Sequence, residues 1–292
     1  MEGFLLVYKD SGQTSHDVVH QIKKKFSFAK TGHTGTLDPL AEGLLIVLVN
    51  RATKLAFLFE NLAKIYKGDI VFNHNYDTLD VTGRLIESKD IKLNVEVIQQ
   101  SFMFFDKKSY WQVPPMYSAI KVQGTRMYHL AKKNVQIELT PRKVNIFGLN
   151  IISNDLSNNQ VTFEANVSKG TYIRSLARDI GFRMNTYGAL KTLIRTQIGS
   201  YHAQKAKNIH QISLADLIEI KTLFAHYPKI VLADYLIRRI QNGFYLDQRH
   251  ITISKSFIVL NQYNRWIAYY EPINRFQYRP RYFFWSNQVS VY

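Results

Sequence analysis

At 292 residues, with 46% apolar and 21% charged positions, the chain is sized for a large domain plus a small one, and disorder is not expected. Its 38 Lys and Arg against 22 Asp and Glu leave a formal charge of +16, which favours a polyanionic partner, nucleic acid first. The absence of cysteine excludes disulfides, zinc knuckles and thiolate catalysis.

The first ten residues lack a basic n-region, and their apolar run is too short for a signal peptide. No uncharged apolar stretch reaches the length of a membrane span, so a soluble cytoplasmic protein is expected. Residues 4–8 read as a strand and Lys9-Asp10-Ser11-Gly12 as the turn that ends it. Thr14 or Ser15 can cap a helix running to about Phe26, with Val18, Val19, Ile22 and Phe26 on one face. His16 and His20 stand four apart on that helix, a spacing metal sites use. No third ligand is apparent nearby, so a solvated face is the better reading and no metal is expected.

Gly32-His33-Thr34-Gly35-Thr36-Leu37-Asp38-Pro39 follows. Its two glycines allow φ > 0 or the close approach of a bulky ligand, and Pro39 pushes Asp38 toward extended backbone. Behind it, Gly43-Leu44-Leu45-Ile46-Val47-Leu48-Val49 reads as a buried strand. A carboxylate on a loop tied to a core strand is held rigidly yet open to a ligand, the usual placement of a reactive group. The competing reading is a turn aspartate bonded to its own backbone.

Arg51-Ala52-Thr53-Lys54 opens a helix with Leu55, Leu58, Phe59 and Leu62 inward. Residues 63–72 form a strand in which Tyr66 lies between Lys64 and Lys67, either a sheet-surface residue or a stacking platform for a base. Residues 76–83 make an Asp-, Thr- and Gly-rich turn without EF-hand spacing. Residues 95–105 should be helical, with Val95, Ile98 and Phe102 inward. Residues 114–121 lead extended into a strand, and 127–133 form a short helix. From 135 to 167 the pattern is mostly strands, broken at Thr140-Pro141 and over 153–160. In Ser168-Lys169-Gly170-Thr171-Tyr172-Ile173-Arg174-Ser175 a strand ends at glycine and a helix begins, with Leu176, Ala177 and Ile180 on its core side. Arg174 is either a plain surface arginine or a buried partner for Asp38, since guanidinium and carboxylate pair bidentately. Residues 193–199 end this half. Beyond Pro228 come short aromatic strands, a β-rich appendage of residues 228–292 after a main domain of 1–227.

The motifs 32–39, Ala52-Thr53-Lys54, Tyr66 in its strand, Pro115-Met116-Tyr117-Ser118-Ala119-Ile120-Lys121 and 169–174, in this order, resemble the bacterial TruB family of tRNA pseudouridine synthases. The resemblance implies an α/β (α+β) catalytic domain around a long mixed, mostly antiparallel sheet flanked by helices, plus a small PUA-like C-terminal domain. It implies conversion of the T-loop uridine, conventionally numbered 55, to pseudouridine in tRNA without metal or cofactor. It makes Asp38 the nucleophile, sets Tyr66 on the target base and pairs Arg174 with the aspartate. His33, Tyr172, Leu193 and Lys54 fall on substrate-contact positions, and nothing demands a partner chain, so a monomer is expected. The family usually has Lys-Pro where this chain has Lys9-Asp10, and residues 247–292 match a PUA domain poorly.

The chemistry agrees with the residues. Isomerising uridine breaks a C–N glycosidic bond and makes a C–C bond to the same base, so one ionised carboxylate suffices as nucleophile. The uridine must be flipped out of its stack to be reached, and His33 is a plausible wedge for the vacated place. A non-catalytic tRNA-binding or folding module is the alternative, though a bare carboxylate facing phosphates would weaken such a module. A nucleosidase would need a second carboxylate, for which Asp77 and Asp80 are the nearest candidates.

Overall fold

The computed structural model describes residues 1–118, 121–122, 125–126 and 139–285. The helix expected over 127–133 lies outside the described residues, as do Ala119 and Ile120 of the extended motif. The chain divides into two compact units, one of Phe4–Leu217 and one of Ile218–Tyr292 with Met1–Gly3, where composition drew the boundary at 227/228.

In chain order the larger unit runs β1 (Gly3–Lys9), α1 (Ser15–Phe26), β2 (Thr31–His33), β3 (Glu42–Val49), α2 (Phe57–Glu60), β4 (Lys64–Phe72), β5 (His74–Tyr76), β6 (Leu85–Ser88), α3 (Val95–Phe105) and β7 (Ser109–Gln112). It continues with β8 (Lys121–Val122), β9 (Thr125–Arg126), β10 (Arg142–Asp155), β11 (Gln160–Val167), α4 (Ile173–Arg183), β12 (Gly188–Ile198) and β13 (Tyr201–His202). One long sheet organises it, in the order β1-β3-β12-β4-β11-β10-β7, with β2 against β3 and β13 against β12. The β3–β12 pairing is parallel, whereas β12–β4, β4–β11, β11–β10 and β10–β7 are antiparallel.

Burial along β4 alternates, as a strand with one covered face requires. Tyr66, Ile70 and Phe72 enter the core with Leu37, Leu193, Phe163 and the α4 residues Leu176, Ala177 and Ile180. On the opposite face Asp69 accepts from the Thr162 and Thr192 hydroxyls at 2.6 and 2.7 Å, so that face is polar. Residues Gly43–Val49 of β3 are buried throughout, with α1 covering one side through Val18, Val19 and Ile22.

Two expectations need correction. Residues 50–55 form a 3₁₀ turn, and α2 beyond it is one turn long, so the helix expected from Arg51 is two short pieces. The apolar spacing is right, since Leu55 and Phe59 are buried, but 3₁₀ geometry satisfies it over so few residues. Val95 is exposed, because it opens α3 at the first turn, while Ile98 and Phe102 point inward as expected. Of the two uses open to Gly32 and Gly35, positive φ occurs at neither; among the described glycines it occurs at Gly12, Gly43, Gly170, Gly199 and Gly243.

The smaller unit carries β14 (Ile218–Glu219), β15 (Lys229–Val231), α5 (Asp234–Gln241), β16 (Leu246–Asp247), β17 (Phe257–Leu260), β18 (Trp266–Pro272) and β19 (Gln277–Phe283). Its sheet runs β15-β17-β18-β19-β16. The core beneath it is aromatic and aliphatic: Leu236 and Ile240 of α5 pack with Phe257, Tyr270 and Tyr278.

Candidate active site

Asp38 sits on the loop between β2 and β3, and that loop is held by its backbone. Ser15, buried at the start of α1, accepts the Leu37 N–H at 2.8 Å and donates to the Leu37 carbonyl at 3.1 Å. On the other side of Asp38, the Pro39 carbonyl accepts from Gly12 N–H at 2.9 Å and from Lys9 Nζ at 3.3 Å. Lys9 also donates to the Gln13 and Asp10 carbonyls at 2.7 and 3.0 Å. Its side chain is fully buried, and burial lowers its pKa to about 8. The carboxylate therefore projects from a fixed stretch of chain.

Arg174 arrives from the first turn of α4. Its Nη2 donates to Asp38 Oδ1 at 2.9 Å, and its Nε lies 2.9 Å from Oδ2 as an ion-pair contact without hydrogen-bond alignment. The guanidinium side chain is only 6% exposed, whereas that of Asp38 is 36% exposed. The carboxylate is thus backed by protein on the arginine side and open on the other. Arg174 is itself fixed, with Nη1 donating to the Thr78 carbonyl and Nη2 to the Tyr117 carbonyl, both at 2.9 Å.

A second carboxylate belongs to the cluster. Asp80 Oδ2 lies 3.6 Å from Arg174 Nη1, and Asp80 is buried among the hydroxyls of Thr78 and Thr82. Leu79 between them has φ +62°, a conformation costing a branched residue about 1–3 kcal/mol. That strained turn lets the Thr78 carbonyl and the Asp80 carboxylate face one guanidinium. From sequence, Asp80 entered only as a spare carboxylate for a hydrolase; the Asp-Thr-Gly composition that reads as a turn hides its ion pair.

Apolar surface completes the group. Tyr66 faces the core side of the sheet, 8% exposed, so it is not a sheet-surface residue, and it shares a cluster with Leu37 and Leu193. Leu193 on β12 lies opposite Gly68 on β4. A Cβ on Gly68 would come within 2.3 Å of the Thr192 carbonyl oxygen, so only glycine permits that pairing. Tyr172 precedes α4 and is held by the buried Gln112, whose Oε1 accepts the Tyr172 N–H at 2.8 Å while its Nε2 donates to the Tyr172 carbonyl at 3.1 Å. Nothing in the sequence alone marked Gln112.

His33 ends β2 where the loop begins, and burial lowers its pKa, with Arg195 and His16 adding to the effect. Its imidazole is therefore neutral at pH 7. Lys54 lies exposed on the 3₁₀ turn. The structure thus brings Asp38 and Arg174 into contact and sets Tyr66 and Leu193 in one core with Leu37, while Lys54 stays outside that cluster. His16 and His20 are exposed on α1. Among the described residues no group of three or more His, Asp or Glu could hold a metal ion. Within the same limits, no helix is long and apolar enough to cross a membrane.

Comparison with known proteins bears on this constellation. A family model described as TruB family pseudouridylate synthase (N terminal domain) matches residues 23–173, more than half of the chain. The tRNA pseudouridine synthase B of Aster yellows witches'-broom phytoplasma (strain AYWB) is 54% identical over 284 residues, 97% of this chain and 100% of that protein. That of Acholeplasma laidlawii (strain PG-8A) is 45% identical over the same shares. Among solved structures, a chain of a Cbf5-Nop10-Gar1 complex aligns over 92% of this chain and 78% of its own, with TM-score 0.66 and 21% identity. The fold is accordingly the α/β arrangement expected, with a strand-rich C-terminal unit that fits a PUA-like domain.

Proposed function

The chain belongs to the TruB family of pseudouridylate synthases, and from that premise we propose that it converts the T-loop uridine of tRNA, position 55, to pseudouridine, with Asp38 as nucleophile. It is an isomerase, and its relatives' name supplies tRNA as the substrate class. The observation that carries the residue assignment is the Asp38–Arg174 pair, a carboxylate held at 2.9 Å by a buried guanidinium yet open on its other side. In this reading the guanidinium aims the carboxylate, as covalent attack requires.

The flipped uridine enters beside Asp38, where Tyr66 stacks on its ring and Leu193 and Leu37 exclude water behind it. Asp38 bonds transiently to the sugar carbon or to the base while the C1′–N1 bond breaks and the base turns. C1′ bonds to C5, the bond to Asp38 breaks to return its carboxylate, and C5 loses its proton while N1 gains one. Atoms and charge balance with no oxidant and no net hydrolysis, so the uracil must stay captive until the new bond forms. A neutral His33 suits the vacated stack better than a charged one, being cheaper to desolvate between bases. Tyr172 and Lys54 contact the RNA on the rim. The protein acts as a cytoplasmic monomer on the T-arm stem-loop.

The Asp38→Asn variant on an unmodified tRNA transcript tests this. We expect no tritium release from C5-labelled uridine and tRNA binding within a few-fold of wild type, because amide and carboxylate are nearly isosteric. Free uracil in the wild-type reaction would make the protein a hydrolase, an unaltered RNA would make it a binding module, and an active Asp38→Asn would remove Asp38 from the mechanism.

A further inference from the structure

Arg195 is the bulkiest fully buried side chain among the described residues, and no described carboxylate pairs with it. Its guanidinium donates only to main-chain carbonyls: Nε to Leu44 at 2.8 Å, Nη2 to Gly35 at 3.0 Å and Nη1 to Thr36 at 3.4 Å. A cation in a sheet interior is costly to desolvate, and an apolar residue there would serve a purely structural strand as well or better. The three carbonyls it reaches are not scattered. Gly35 and Thr36 belong to the loop between His33 and Asp38, and Leu44 is where that loop has rejoined the sheet.

The backbone around Arg195 is built for the same purpose. In the sheet Arg195 stands between Gly43 of β3 and Tyr66 of β4. A Cβ on Gly43 would lie 2.4 Å from the Arg195 carbonyl oxygen, so β3 approaches this closely only with glycine, at φ +100°. A Cβ on Gly35 would lie 3.6 Å from Nη1, so the loop passes within van der Waals range of the guanidinium. One side chain therefore joins the chain leaving β2, the chain entering β3, and the strand pair that carries Tyr66.

We propose that Arg195 is a positioning residue for the isomerisation: it fixes the His33–Asp38 loop against the β12–β4 pair and so sets the gap between the Asp38 carboxylate and the Tyr66 ring. The inference rests on the reading of Asp38 as nucleophile. Lysine cannot replace it fully, since one ammonium lacks the planar fork that spans two loop carbonyls and a strand carbonyl at once. The fixed charge has a side effect on the loop's own wedge, adding to burial in holding His33 neutral.

The test uses full-length Arg195→Met and Arg195→Lys on a tRNA transcript, with single-turnover rate at saturating enzyme, tRNA affinity and amide hydrogen exchange measured together. Arg195→Met should lose rate on the order of 10²-fold, as expected for misplacement near an ångström, with affinity within a few-fold. Faster exchange should be confined to residues 33–38, and the His33 imidazole should titrate higher by NMR. Arg195→Lys should recover part of the rate. A folded Arg195→Met at the wild-type rate would overturn the proposal. So would protection lost across the whole sheet with activity falling only as the folded fraction falls, since that is the behaviour of a structural residue. If Arg195→Met does not fold, Arg195→Lys decides by the same two criteria. Turnover by Asp38→Asn would sink the nucleophile reading and this inference with it; an inactive Asp38→Asn beside a fully active Arg195→Met would sink this inference alone.

Discussion

On the proposed reading, a carboxylate that is to attack must be aimed and reachable, and at Asp38 one neighbour can aim it without closing off its outer side. Arg174 touches both carboxylate oxygens from the buried side and leaves the outer side free. Arg174→Lys would keep a charge beside Asp38 and lose the planar guanidinium, so the aim of the carboxylate should suffer. The expected result is a single-turnover rate lower on the order of 10²-fold with a smaller change in tRNA affinity. Arg174→Ala should be worse, because it leaves Asp38 and the buried Asp80 without their common cation. A wild-type rate in Arg174→Lys would end the catalytic reading of the pair. At this scale sequence shows what is local. Glycine and proline frame Asp38, and a strand-to-helix junction frames Arg174. The place of Asp80 was not legible, because it depends on the positive φ of Leu79 and on an arginine 94 positions later in the chain. Arg195 was likewise invisible, since its partners are carbonyls, which every residue has.

Elements were legible where periodicity runs long enough to exceed noise. Helix α1 begins after Thr14 and ends at Phe26, as its cap signal and apolar face require; β4 and α4 are equally plain. The failures are short. A 3₁₀ turn and a one-turn helix replace the helix expected from Arg51, and the first turn of α3 leaves Val95 outside. Helix α1 is more than cover for the sheet. Thr14 caps it in a reciprocal box with Asp17, at 3.1 Å from Asp17 N–H to Thr14 Oγ1 and 2.9 Å from Thr14 N–H to Asp17 Oδ2, and the next residue, Ser15, holds Leu37 beside Asp38. Thr14→Ala should cost about 1 kcal/mol. For the unit Phe4–Leu217 that is a fall of about 2–4 °C in Tm. Fraying the first turn also frees Ser15, so kcat should fall more than KM rises, while Tm falls only by the cap's share. An unchanged kcat at full folding would show that the Ser15–Leu37 bonds do not depend on the cap.

The chain carries a strongly basic net charge, while its candidate site holds two carboxylates, and the two features make opposite demands on RNA. A charge of +16 draws phosphate to the surface, whereas Asp38 and Asp80 repel it, so the acidic pair is tolerable only where a base rather than a phosphate is to lie. That division separates an enzyme from a mere binder, and it sorts residues by their response to salt. Lys54 is exposed and carried on the turn that follows β3. If it meets a phosphate of the T-arm, its removal should weaken binding uniformly across tRNA sequences. Lys54→Gln should also reduce the slope of log affinity against log salt by about one contact's worth, roughly 0.7–0.9. The loss should fall on KM, with kcat at saturating tRNA retained, since no reacting atom is near a phosphate-bound lysine. Arg174→Lys should do the reverse, lowering kcat with the salt slope unchanged, because its guanidinium is spent on Asp38 and Asp80. Affinities measured by filter binding from 50 to 200 mM salt, a span on which each lost phosphate contact changes the slope visibly, would read both variants in one series. A Lys54→Gln slope equal to wild type would place Lys54 off the RNA.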